Sequence, residues 1–217
     1  MRGELRRLTD PDADGNGKIM ITDAFCLLGL PRRAWLTPDE VRAAFQQAAA
    51  AAHPDAAAGE ADRVARTEFF QQLNEASALL TPVTARLKHL LALEYPDFVP
   101  DRAATMDDAL VTLFSTIGTA VQAAAAWTRQ RESAATFLAK AALAPREMQV
   151  QETLESAGAV LRAEQETLDE TLRQLDASLT VSRLPAETLS ALASRAAFLG
   201  KWQAQLQAAW TSMFSIG

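Results

Sequence analysis

The 217-residue sequence contains one cysteine, two histidines and nine glycines. A single cysteine excludes a disulfide framework, and it excludes a zinc or iron–sulfur site built from several cysteines of this chain. No uninterrupted apolar run reaches the roughly 18 residues that would predict a membrane span. The N-terminal residues include basic side chains with no apolar stretch behind them, so we expect no secretory signal.

Positive charge is also scarce, because 21 lysines and arginines stand against 27 aspartates and glutamates and leave a net charge of −6. A general nucleic-acid binder needs clustered lysine and arginine to neutralise phosphates, so the net charge argues against that class. Hydrophobic residues make up 49% of the sequence, and alanine, the residue with the lowest helix cost, is the most frequent of them. The composition therefore predicts a soluble, cytoplasmic, all-α protein without a nucleic-acid or membrane partner.

Turn-forming residues and prolines divide the sequence into four zones. Residues 1–20 are polar and turn-rich, and residues 21–95 carry four helical patterns. Residues 96–104 are predicted to be a linker, because the prolines at 96 and 100 cannot lie inside a helix. Residues 105–217 show three long helical patterns, which predict a three-helix antiparallel bundle. The seven-residue spacing of leucines from Leu154 to Leu175 also suits a coiled-coil dimer, although alanine at several seam positions favours the bundle.

Helix boundaries are best marked in the second zone. Thr37 is predicted to be an N-cap, with Pro38 at the first helical position and Glu40 placed to complete a capping box. This helix is expected to end at Ala52, and the next to run from about residue 61 to residue 80. The inward face of that next helix is predicted to comprise Val64, Phe69 or Phe70, Leu73, Ala76 and Leu80.

Other conspicuous residues are predicted to be structural. Cys26 lies in an apolar segment and is expected to pack in the core. His89 is expected to be a packed or surface histidine rather than a ligand. Arg86 is predicted to join the two helical zones through an aspartate or glutamate. Core packing is the expectation for three tryptophans, Trp127, Trp202 and Trp210.

The one cluster of rare residues is His53-Pro54-Asp55, which falls between two helices predicted to be antiparallel. A short apolar helix ending in Leu28-Gly29-Leu30-Pro31 precedes these two helices. This arrangement resembles a J-domain, the module that stimulates ATP hydrolysis by DnaK-type chaperones. Similarity to one J-protein family, the HscB family of iron–sulfur co-chaperones, lies in Phe25–Pro31, Asn74-Glu75-Ala76, Arg86, Leu90–Leu93 and Ala197–Lys201.

The resemblance implies a J-domain over residues 21–95 and a client-binding bundle over residues 105–217. It implies that the chaperone is contacted by His53, Pro54, Asp55 and Arg42, which would favour its hydrolysis-competent state. It also implies that a client, an iron–sulfur scaffold protein, binds to Leu110, Val111, Phe114 and Phe198. No catalytic residue is implied, since the ATPase belongs to the partner.

Two further interpretations of the tripeptide remain open. In the first, the proline ends a helix and the aspartate favours a turn, and the protein is a J-like binding or structural module without chaperone coupling. The scarcity of basic residues favours this interpretation, because Arg42 is the one basic residue of the preceding helix. In the second, His53 and Asp55 form a catalytic dyad, but no nucleophile, glycine loop or oxyanion donor accompanies them. We therefore expect no enzyme.

A segment near the N-terminus has the spacing of an EF-hand loop. Glycine stands at position six, where the loop turns sharply, and isoleucine stands at position eight. The segment predicts a weak calcium or magnesium site with an aspartate at position twelve in place of the usual glutamate. Its candidate ligands are Asp12, Asp14, Asn16, Lys18 and Asp23. The alternative is a solvated, flexible lead-in rich in aspartate and glycine.

Overall fold

The structure, a computed structural model, describes residues 22–52, 59–100, 107–178 and 183–214. These residues form α-helices and no strand, which confirms the all-α fold class. The helices are α1 (Ala24–Leu27), α2 (Pro38–Ala51), α3 (Glu60–Leu80), α4 (Val83–Glu94), α5 (Asp108–Ser133), α6 (Phe137–Ala141), α7 (Ala144–Ser178) and α8 (Ala186–Phe214).

The first two helices begin at side-chain caps. Asp23 accepts the backbone N–H groups of Phe25 and Cys26 at the start of α1. The predicted capping box of α2 is present, because the Thr37 hydroxyl accepts the N–H of Glu40 and the Glu40 carboxylate accepts the N–H of Thr37. The turn that follows α1 contains Gly29, whose φ of 65° is one that residues with side chains rarely adopt.

Helices α2 and α3 pair as an antiparallel hairpin. The rings of Phe45 and Phe70 lie 6.0 Å apart in its middle, and α3 buries Leu73, Ala76 and Leu80. The predicted inward position of Val64 is wrong, since its side chain is half exposed. Nine residues separate Val64 from Leu73, and at about 100° per residue they lie on opposite sides of the helix.

The predicted burial of Cys26 is also wrong, because its side chain is exposed. Helix α1 has only four residues, of which Ala24 and Phe25 are buried. One helical turn can direct a single side toward the core, and that side is taken by these two residues.

Helices α5, α7 and α8 form the predicted three-helix bundle. The bundle buries one apolar face from each helix, and its largest fully buried side chain is Trp127. Pro145 lies in the first turn of α7, where its missing N–H has no intrahelical partner to lose. The short helix α6, which the sequence did not indicate, lies in the connection between α5 and α7.

The two helical zones pack against each other. Helix α4 contacts α8, and the Asp176 carboxylate at the end of α7 accepts the N–H groups of Ala34 and Trp35 at 3.1 and 2.7 Å. The Tyr95 hydroxyl donates to the backbone carbonyl of Leu184 at 2.7 Å. These contacts hold the loop before α2 and the end of α4 against the bundle.

Helix α5 is long and apolar enough to cross a membrane when judged by length and composition alone, with a mean hydropathy of 1.5 over its most apolar window. A helix in the core of a globular protein can meet the same criterion. In this fold α5 contributes Leu113, Ile117, Ala124 and Trp127 to the bundle core.

Candidate functional site

The turn of the α2–α3 hairpin is the first candidate site. His53, Pro54 and Asp55 lie outside the described residues, between the end of α2 and the start of α3. The described residues on either side place the two ends of this connection close together, since the helices are antiparallel and in contact.

Arg66 on α3 anchors the end of α2 next to the tripeptide. Its Nη1 donates to the backbone carbonyl of Ala51 at 3.2 Å, and its Nε pairs with Asp62 at 3.2 Å. A cation at the C-terminus of a helix satisfies an unpaired carbonyl and interacts favourably with the helix dipole. Ala52, the last residue before the tripeptide, is buried. The tripeptide therefore follows a fixed helix end.

Sequence reasoning did not give Arg66 this role. The available signal was its place among the inward positions of α3, seven residues before Leu73. An arginine there cannot pack as an apolar residue, so it must reach a polar group of the facing helix.

The exposed face of α2 carries little charge. Arg42 is solvent-exposed and pairs with Asp39 at 3.0 Å, one turn before it. The other exposed residues beyond Arg42 are Ala43, Gln46, Gln47, Ala50 and Ala51. Arg42 therefore presents a partly neutralised charge to any partner on this face.

Arg86, on α4, fixes the hairpin through hydrogen bonds to backbone carbonyls. Its side chain is only 2% exposed, and it donates to the backbone carbonyls of Ala34, Leu80 and Thr81. These hydrogen bonds replace the predicted link through an acidic side chain. Burial lowers the pKa of the Arg86 guanidinium, and the nearby carboxylates of Asp169 and Asp176 oppose that change. Arg86 thus fixes the loop before α2 to the end of α3.

His89 is buried, so of the two predicted environments, packed or on the surface, it occupies the packed one. Its Nε2 accepts the backbone N–H of Ala24 at 3.1 Å, and its ring stacks on Phe25. Burial lowers the pKa of His89, so the neutral ring is the form that fits this site. This histidine holds α1 on α4.

The predicted client-binding residues divide into two groups. Leu110 is buried in the bundle core, whereas Val111 and Phe114 are more than half exposed on the outside of α5. Phe198 is half-buried and stacks on Trp202 with ring centroids 5.8 Å apart, while the Phe114 ring lies 6.1 Å from the same tryptophan. The structure therefore brings Phe114 and Phe198 together over Trp202, with Val111 close by.

An ion-pair network borders this aromatic cluster. The two terminal nitrogens of Arg195 each lie 2.6 Å from a carboxylate, one from Asp107 and the other from Glu164. The pKa of Asp107 is lowered, first because the N–H of Leu110 donates to it and then by the hydrogen bond from Arg195. The network joins the start of α5 to α7 and α8.

Most of the predicted ion-binding loop lies outside the described residues, including Asp12, Asp14, Asn16 and Lys18. Asp23 is described, and its carboxylate caps α1 and pairs with Arg32 at 2.8 Å. Within the described ranges, no three histidine, cysteine or acidic side chains cluster as metal ligands would.

One solved structure provides a comparison for the whole arrangement. The chain is similar in fold to the chaperone HscB from Vibrio cholerae, with a TM-score of 0.50 and 20% sequence identity. The alignment covers 86% of this chain and 96% of that chain. No protein-family model matches the sequence, and no curated protein matches it. The protein therefore has an HscB-like fold.

Proposed function

We propose that the protein is a cytoplasmic J-domain co-chaperone that stimulates the ATPase of a DnaK-type chaperone. The observation that carries the proposal is the combination of an HscB-like fold with His53-Pro54-Asp55 at the turn of its α2–α3 hairpin. The anchored end of α2 supports it, because a tripeptide that biases a partner between two states must be presented in a fixed orientation.

The test is the steady-state ATPase rate of the cognate DnaK-type chaperone with increasing amounts of this protein. We expect stimulation by the wild type, loss of stimulation with His53→Gln, and unchanged stimulation with Lys88→Ala. Lys88 is an exposed cation on α4, away from the hairpin turn, and serves as the matched control. Failure of the wild type to stimulate any DnaK-type chaperone of the same organism would refute the proposal.

The role proposed for Arg42 needs a separate measurement. Because Arg42 is already paired with Asp39, we expect Arg42→Ala to reduce chaperone affinity by only a few-fold and Asp39→Ala to raise it. Equal affinities for all three proteins would exclude Arg42 from the chaperone interface.

The proposed client is an iron–sulfur scaffold protein that binds to Val111, Phe114 and Phe198. The exposed ring of Phe114, next to the half-buried Phe198 and above the buried Trp202, supports a binding surface here, since aromatic side chains anchor protein interfaces. Capture of the scaffold by the wild type, with loss of capture for Phe114→Ala and Phe198→Ala, is the expected result. Val160→Ala, which alters an exposed apolar residue of α7, is the control.

A second candidate function is a J-like binding module that has lost chaperone coupling. The weakly charged face of α2 favours it, because the one basic side chain there has an intrahelical partner. The two functions differ in one measurement: the module binds the client through the bundle but does not change the chaperone's ATPase rate.

The calcium or magnesium site at residues 12–23 is proposed on its spacing alone. The cap and ion pair of Asp23 compete with ligation, so the site requires Asp23 to exchange partners. Heat release on titration with calcium, abolished by Asp14→Ala, would support the site. No heat at millimolar calcium would exclude it.

A further inference from the structure

Helix α5 has an unusually long stretch without charge. No charged residue occurs in residues 109–128, although 22% of the whole sequence is charged. Only 28% of the most apolar window of α5 is buried within the chain. Its outer surface exposes Val111 and Phe114, by 51% and 58%. An uncharged, partly apolar surface of this extent is typical of a protein interface.

A groove runs beside this surface, between α5 and α8. It encloses about 460 Å³, begins at Phe114, and is lined by Gly118, Val121 and Ala125 of α5. The facing wall is also uncharged, because α8 has no charged residue from Gln203 to Phe214. A protruding ring and an uncharged groove therefore occupy one continuous face.

Gly118 lies at the middle of this face. A β-carbon added at this position would meet no atom of the chain within 4 Å. Glycine is unfavourable in the interior of a helix compared with alanine, and packing within the chain does not require it here. A backbone left uncovered in this way permits the close approach of a second helix.

The charges that immediately flank the uncharged stretch have opposite signs. Asp107 and Asp108 stand before it, and Arg129, Arg131 and Glu132 follow it. Asp107 is paired with Arg195 and Arg131 with Glu147, so the exposed, opposite charges nearest the stretch are those of Asp108 and Arg129. Asp107 and Arg129 are equally distant from Gly118 along the sequence. A helix with this pattern is complementary to a copy of itself that runs in the opposite direction.

We propose that the protein forms a two-fold symmetric dimer in which α5 packs antiparallel against α5 of a second copy and the helices cross at Gly118. Residues at equal distances on either side of Gly118 then face each other across the interface. Phe114 of each copy faces Gln122 and enters the groove of the other. Arg129 faces the Asp107–Asp108 end of the other copy, where Asp107 also keeps its pair with Arg195. The same surface patch serves both subunits, as a two-fold interface requires.

Charge complementarity favours a second copy over other occupants of the face. Antiparallel helices bring opposite charges and opposite dipole ends together at both ends of the contact. A lipid surface would instead meet an acidic and a basic cluster at once, and the acidic one would oppose binding to anionic lipid. The dimer also covers Val111 and Phe114. A client and a second copy of the chain therefore compete for one surface, a consequence that rests on the proposed function.

The test is sedimentation velocity of the full chain from low to high micromolar concentration. We expect a concentration-dependent dimer for the wild type. Phe114→Asp buries a charge opposite an uncharged groove and weakens dimerisation by about a hundredfold. Gly118→Leu also abolishes the dimer but does not lower the melting temperature, since the chain leaves open space at this position. Val160→Asp, on α7, leaves the dimer intact.

A charge exchange gives a readout that a general loss of folding cannot imitate. Arg129→Asp places acidic groups against Asp107 and Asp108 of the second copy and weakens the dimer by roughly tenfold. Adding Asp108→Arg to that variant restores dimerisation. Equal effects of Arg129→Asp alone and in combination would overturn the proposed register.

Three outcomes would overturn the dimer itself. The first is a wild-type protein that stays monomeric at every concentration. The second is a dimer that neither Phe114→Asp nor Gly118→Leu affects, because another face would then form it. The third is a monomer that sediments with phosphatidylcholine–phosphatidylglycerol vesicles and is released by Phe114→Asp, which would assign the face to lipid. Because none of these measurements involves the chaperone, each result is independent of the ATPase test.

Discussion

Arg86 and His89, the two buried polar side chains among the described residues, both lie on α4 in the N-terminal part of the protein. The buried residues of α5, α7 and α8 are apolar, mainly leucine and alanine. The N-terminal part contains irregular backbone between α1 and α2, whereas the bundle consists of long helices. Regular helices satisfy their own backbone groups, and a loop pressed into a core needs side chains to do so.

The difference teaches that the two parts are specified in different ways. The bundle depends on the volume and periodicity of apolar side chains, which many sequences can supply. The N-terminal part depends on individual polar side chains with defined partners, because a buried carbonyl or N–H without a partner is costly. A substitution that keeps the charge of a buried polar residue should therefore still destabilise the N-terminal part. A substitution that keeps the size of a buried apolar residue should be tolerated in the bundle.

The largest effect is expected at Arg86. Arg86→Leu should lower the free energy of unfolding by about 4 kcal/mol, because two buried carbonyls, those of Ala34 and Leu80, and the partly buried carbonyl of Thr81 lose their donor. Arg86→Lys should cost nearly as much, since one ammonium group cannot reach all three carbonyls in the geometry of a guanidinium. Urea denaturation followed by circular dichroism measures both. A Lys variant as stable as the wild type would contradict the proposed role of these hydrogen bonds.

Leu172 on α7 provides the matched comparison in the bundle, since it is fully buried. Leu172→Ala should cost about 3 kcal/mol through the loss of buried area and the cavity left behind. Leu172→Met should cost less than about 1.5 kcal/mol, because it conserves volume. If Leu172→Met lowers the free energy of unfolding as much as Arg86→Lys does, the two parts are not specified in different ways.

Asp176 joins the two parts, so its removal tests whether they can separate. Asp176→Ala leaves the N–H groups of Ala34 and Trp35 without their acceptor and should cost about 2 kcal/mol. Asp176→Asn retains one acceptor oxygen and should cost about half as much. Hydrogen exchange at these two amides should quicken more in the alanine variant than in the asparagine variant, whereas amides in the middle of α7 should be unaffected.

The smallest effect is the pH dependence that arises from His89. Its pKa in the folded state is lowered by burial from the ordinary histidine value of about 6.5, so the unfolded chain binds a proton more readily than the folded one. The stabilisation is complete above about pH 6.5 and declines as the pH falls through the unfolded pKa. The decline cannot exceed about 1.4 kcal/mol per pH unit for a single proton.

His89→Gln removes this titration and retains a hydrogen-bond acceptor for Ala24. The difference in unfolding free energy between wild type and variant should therefore shrink with acidification. If this free-energy difference stays constant between neutral and mildly acidic pH, His89 has the same pKa in the folded and the unfolded state, which would contradict the prediction.

Several elements follow from local sequence. Thr37, Pro38 and Glu40 lie within four residues and create the start of α2 by contacts among themselves, so its boundary and capping box were predictable. The long helices of the bundle were predictable from apolar periodicity. The exposure of Val64 was predictable too, because nine residues at about 100° each place it on the side of α3 opposite to Leu73.

The candidate site was predictable only in part. The tripeptide, Val111, Phe114 and Phe198 could be named from the sequence, but not the meeting of Phe114 and Phe198 over Trp202. The rings of Phe114 and Trp202 belong to helices separated by the whole of α7. Their proximity depends on the rotation of α5 and α8 about their axes, which the packing of all three helices sets together.

By itself, the sequence determined that this protein is all-helical, where most helices begin and end, and that His53-Pro54-Asp55 stands between two of them. Helix propensity, capping and apolar periodicity act over a few residues, so they can be read along the chain. Tertiary structure alone decided which carbonyls Arg86 binds, that Asp176 holds a loop some 140 residues away, and that Cys26 faces solvent. Those outcomes depend on which surfaces meet when the helices pack, and no local pattern encodes them.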